Sequence, residues 1–246
     1  MGWLGDTIGA IGSFISGVGS AIGRICSGAM SLVSRMPIFE NFAKTVLSFV
    51  PVLFPHIEII EVIGLIVAVI GAVADALELK EEKEDSPEEM GMKAEQADKG
   101  RDDFPTDAEY IAYLHEIKLD REKIEELTEE QKAAYALIGT KIYADGIKEK
   151  LGLKDELSPK FIMECAKLGI KADEFIAYVK AMEAEGLKGQ EGFHEYLHNK
   201  EMKVETEEKV QNAMINALGE LYPDMSPDEI EEKIEQMEVQ AQAKAQ

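Results

Sequence analysis

The chain has 246 residues with 48 acidic and 26 basic side chains, a formal charge of −22 at neutral pH. A surface this acidic repels phosphate backbones, which argues against a nucleic-acid partner. Two cysteines, Cys26 and Cys165, are too few for a disulfide framework or a cysteine zinc site, and both fall at small-residue positions of helical patterns, as buried free thiols do. The charge is also uneven: residues 1–77 hold five acids and three bases, and the rest of the chain holds 43 and 23.

Residues 4–35 overlay two patterns. Leu4, Ile8, Ile11, Ile15, Val18, Ile22 and Ile25 keep a heptad spacing, and Gly5, Gly9, Gly12, Gly19 and Gly23 form a small-residue ladder beside them. Each interior glycine costs a helix about 0.8–1 kcal/mol relative to alanine, so the segment lacks stability as a lone helix in water. Close helix pairing or a bilayer surface repairs that deficit. Residues 1–36 are therefore expected to be a helix that self-associates or meets lipid, with the chain itself as partner. The N-terminus lacks a basic n-region and a massed apolar h-region, so it is not read as a signal peptide. The expected protein is made in the cytoplasm and is membrane-associated or exported in a particle.

Residues 37–79 are expected to form an apolar helical hairpin. The stretches 45–57 and 62–74 contain no Asp, Glu, Lys or Arg, and Pro51 and Pro55 prevent their fusion into one helix. Neither reaches the ~18–20 residues that cross a hydrocarbon core. Glu58 and Glu61 lie between them, and their protonation leaves Ile57 to Ala74 uncharged. This is the pattern of a conditional inserter, with Glu58 and Glu61 as the gate, Gly64 and Gly71 as helix contacts, and Ile66 and Ile70 as the apolar body.

Residues 80–104 have few large apolar side chains and read as an acidic tether or exposed helix. Residues 105–246 are expected to fold on their own as an acidic, all-helical domain. Helix starts stand at Ser158-Pro159, Ser226-Pro227 and Thr128, and stops at Gly152, Gly169 and Gly186. A weak internal repeat of aromatic and tyrosine positions runs through 109–120, 174–185 and 192–203. The fold class expected for the whole chain is all-α.

One motif bears on chemistry. His194-Glu195-Tyr196-Leu197-His198 matches the H-E-x-x-H signature of zinc metalloproteases, with Glu220 the best-placed third ligand downstream. The repeat sets Ile111 where His194 stands, and nothing upstream reads as a cleft strand. The pair is therefore expected to be coincidental, on a solvated face, with no metal or other cofactor. His56 and His115 stand alone. The function expected is that of a non-enzymatic, self-assembling, membrane-active protein, of the pore-forming or translocation-channel kind found in delivered toxins and phage ejection. The alternatives are a structural subunit of a virion or injection apparatus, whose partner is a larger protein assembly rather than a lipid membrane, and the metalloprotease.

Overall fold

The computed structural model describes residues 36–55, 57–80, 86–120 and 124–243. The expected heptad helix, with all its oligomerisation positions, and His56 lie outside the described residues. Among those described there are ten α-helices, two short 3₁₀ turns and no strand, so the chain is all-α.

Helices α1 (Pro37–Leu53) and α2 (Ile59–Ala76) are the two arms of the expected hairpin. Pro51 does not end α1: the helix runs two residues further, to Leu53, without the bond a Pro51 N–H would have made to the Leu47 carbonyl. The carbonyl of Val50 instead accepts the Phe54 N–H at 2.8 Å and closes the helix. The arms touch each other little. Both lie on α6 (Pro159–Leu168) and α5 (Glu129–Leu151), and α2 also reaches α7 (Ala172–Ala184).

Helix α5 is the centre of the molecule. Its residues from Ala133 to Thr140 are buried without interruption, so it has no polar stripe. It starts on a capping box between Thr128 and Gln131 and stops at Gly152, whose φ of +67° only glycine adopts easily. Gly169 ends α6 in the same way, with φ of +69°.

The stretch expected to be a tether or an exposed helix holds a helix that is packed rather than exposed. Residues Pro87–Gln96 form α3, started by a capping box between Ser86 and Glu89. Pro87, Met90, Gly91 and Ala94 lie on one buried face and pack along α5. The approach is backbone to backbone: a Cβ on Gly91 meets the Tyr135 carbonyl, and one on Gly139 meets the Pro87 carbonyl. Helix α4 (Asp107–His115) also packs on α3 and α5.

The second half closes with α8 (Phe193–Leu197), α9 (Val204–Leu221) and α10 (Pro227–Ala243). Four aromatic positions of the repeat segments, Tyr110, Phe175, Tyr178 and Phe193, are in the core. One apolar cluster runs from Phe39 to Ala241. The expected break between an apolar hairpin and an autonomous acidic domain is therefore absent from the packing. The core of α5 is covered by α2 and α3, both from outside residues 105–246.

Candidate metal centre

Three side chains from two short helices meet in the interior. Helix α6 carries Phe161, Ile162, Met163, Cys165 and Ala166 into the core, and Glu164 goes in with them, fully buried. Gly192, with φ of +87°, turns the chain into α8 and sets His194 and His198 one turn apart. Their ring centroids are 4.4 Å apart. His194 Nδ1 donates to Glu164 Oε1 at 2.5 Å, and His198 Nε2 donates to the same oxygen at 2.9 Å. The other carboxylate oxygen, Oε2, is buried with no hydrogen-bond partner.

Lys200 Nζ donates to His194 Nε2 at 2.7 Å. An ammonium can only donate, so Nε2 holds the lone pair and Nδ1 the proton. Burial lowers the His194 pKa, the bond to Glu164 opposes this, and the charges of Lys160 and Lys200 add to the lowering; the imidazole stays neutral. Burial alone would raise the Glu164 carboxyl, but the hydrogen bonds from His194 and His198 outweigh it and hold the group down at about 2.

Two features of the motif reading are corrected. The histidines are not on a solvated face: His194 is 3% exposed. Glu220 is exposed on α9 and takes no part; the acidic partner is Glu164, 30 residues before His194. Glu195, the general base of the protease signature, is instead paired with Lys160 at 2.5 Å. The Lys160 ammonium also stands over the Phe49 ring at 5.3 Å, tying α6 to α1. His194, Glu195 and Lys160 line one side of a surface cleft completed by Gln190, Met202 and Thr206.

The expected insertion residues divide by face. Ile66, Ile70 and Gly71 are buried against the acidic half, whereas Glu58, Glu61 and Gly64 are exposed. Gly64 continues into Ala68, Ala72 and Ala76, all exposed, at four-residue spacing. His115 is not isolated: its Nε2 donates to the Leu79 carbonyl at 3.1 Å. Two further buried charges were not singled out by the sequence. Glu174 accepts from Tyr222 at 2.8 Å and pairs with Lys233 at 3.0 Å. Lys167 donates to the Ala241 carbonyl at 2.8 Å.

The chain matches no protein-family model, no curated protein and no solved structure.

Proposed function

We propose that the protein is membrane-active: helix α2 travels through water half-covered by α5, α6 and α7 and enters a bilayer, where copies of the chain assemble through it. The observation that carries this reading is α2 itself. It is 18 residues long with a mean hydropathy of 2.4, and half of it is buried. At 1.5 Å per residue it extends about 27 Å, close to the ~30 Å of a hydrocarbon core. Charge is confined to its ends, Glu61 in the first turn and Asp75 in the last. The exposed ladder Gly64, Ala68, Ala72 and Ala76 is of the small-xxx-small type along which helices pair in lipid.

Acid is the trigger. An ionised carboxylate costs ~2.5–3.5 kcal/mol at the bilayer centre and less towards the ends of a span, where Glu61 stands, so a modest shift in protonation tips the balance. Contact with lipid raises carboxylate pKa values, and a lower pH also weakens the repulsion between the acidic half and anionic headgroups. Dye leakage from anionic vesicles is therefore expected to rise as pH falls from about 7 to about 5. Glu58→Gln combined with Glu61→Gln shifts leakage to higher pH. Gly64→Leu reduces it without disturbing the soluble fold, since a Cβ there meets nothing within 4 Å. No release at any pH, in wild type and Gln variant alike, would refute the proposal and leave a structural subunit of a larger particle.

A further inference from the structure

We infer that Glu164, His194 and His198 form a binding site for one divalent transition-metal ion of the zinc class, joining α6 to α8. The ligand atoms that the three side chains offer lie within 4.8 Å of one another. Two imidazoles and a carboxylate are a donor set that zinc accepts, at bond lengths of about 2.0–2.2 Å, which places tetrahedral ligand atoms roughly 3.3 Å apart. The separations to the shared oxygen, 2.5 Å from His194 and 2.9 Å from His198, need to open by less than about 1 Å, and the separation between the two rings' ligand atoms, at most 4.8 Å, to close by up to about 1.5 Å. Side-chain rotation supplies that much.

The second observation is the unsatisfied oxygen. Oε1 of Glu164 accepts from both rings while Oε2, equally buried, accepts from none. A fully buried carboxylate oxygen without a donor is unfavourable, and an ion that takes the carboxylate through both oxygens engages Oε2 as well as Oε1. Nor is there an obstacle of charge in the ligands. Both rings can present a lone pair as neutral imidazoles: His194 moves its proton from Nδ1 to Nε2, and His198 from Nε2 to Nδ1. No proton is gained or lost.

The cost falls on Lys200. Its ammonium now uses the Nε2 lone pair of His194, which the new tautomer no longer offers. Lys200 is exposed and can turn into solvent. The ion and the Lys200 ammonium therefore compete for the same imidazole. The cleft walled by His194 and Glu195 is the route by which an ion and a water ligand enter. This site differs from the protease arrangement, because Glu195 faces Lys160 and the carboxylate ligand comes from α6. The inference is independent of the membrane reading.

The test uses the full chain, stripped with a chelator and titrated with Co²⁺, whose visible absorption reports tetrahedral coordination, and then with Zn²⁺. Expected are one equivalent of Co²⁺ bound with that absorption, its displacement by Zn²⁺, and a raised melting temperature with either ion. His198→Gln and Glu164→Gln abolish the absorption. Lys200→Ala, a surface change that leaves the fold intact, removes the competing charge-assisted hydrogen bond and tightens binding by about tenfold. Where a buried variant fails to fold, Lys200→Ala alone decides. Absence of the tetrahedral absorption in the wild type overturns the inference. So does absorption that persists in a folded His198→Gln variant, or an affinity that Lys200→Ala leaves unchanged.

Discussion

His194 donates its Nδ1 proton to the buried Glu164 carboxylate, and the balance between the two groups makes the fold sensitive to acid. In the metal-free chain the native His194 stays neutral below its ordinary value of 6.5, while the unfolded chain binds a proton there. The unfolded state then holds more protons, so stability falls as pH drops below about 6.5. Glu164 acts in the same direction at lower pH. Its native carboxyl stays ionised down to about 2 while the unfolded one protonates near 4.5, so its contribution is complete above 4.5 and is lost below it. Urea midpoints measured with chelator present should fall from pH 6.5 to pH 5, and His194→Gln, which does not titrate, should flatten that fall. An unchanged slope would show that other groups govern the acid response. Only the two histidines of this cluster were legible in the sequence. The spacing of His194 and His198 puts them on one helix side, but no local pattern links them to a glutamate 30 residues away in a chain rich in glutamate. A signal did exist: Glu164 interrupts the run Phe161-Ile162-Met163 and Cys165-Ala166, and a charge carried into a core needs a partner.

At the scale of elements, α3 shows how composition can mislead. Residues 80–104 are polar on average, yet Pro87, Met90, Gly91 and Ala94 recur at helical spacing, and that narrow face is what α5 covers. Two glycines fit it against α5. Gly91→Ala gains up to about 1 kcal/mol of intrinsic helix propensity, but its Cβ meets the Tyr135 carbonyl, a backbone atom that cannot swing aside. The clash is the larger effect, and a net loss of about 1–3 kcal/mol is expected in chemical denaturation. Met90, fully buried on the same face, should cost about 2–5 kcal/mol as Met90→Ala. If both variants are as stable as wild type, α3 does not pack on α5 as described. By the same reasoning residues 105–246 alone should lack a cooperative thermal transition, since the buried core of α5 loses both α2 and α3. The helix boundaries themselves were readable, at Thr128, Gly152 and Gly169, because caps are local chemistry. The order of packing was not, because it depends on contacts distant in sequence.

Across the whole molecule, α5, α6 and α7 cover an apolar helix on one side only. Which side of α2 faces water was not legible, since its sequence is apolar nearly all round; Ile66 and Ile70 fall on the side buried in the protein core. Packing on α5, α6 and α7 makes that choice and leaves Gly64, Ala68 and Ala72 outward. Cys165 gives this arrangement a clock. The thiol is fully buried on α6, the helix that touches α1, α2, α8 and α10, and burial, with the charges of Glu164 and Glu174, pushes its pKa well up. It can react only during excursions that open this junction, so in a Cys26→Ser chain its alkylation rate, divided by that of the denatured chain at the same pH, counts them. That ratio should be far below one at neutral pH and should climb over the same pH interval in which vesicles begin to leak. Such coincidence would time the release of α2 from a single sulfur atom. A ratio near one in neutral buffer would mean that this junction is never closed.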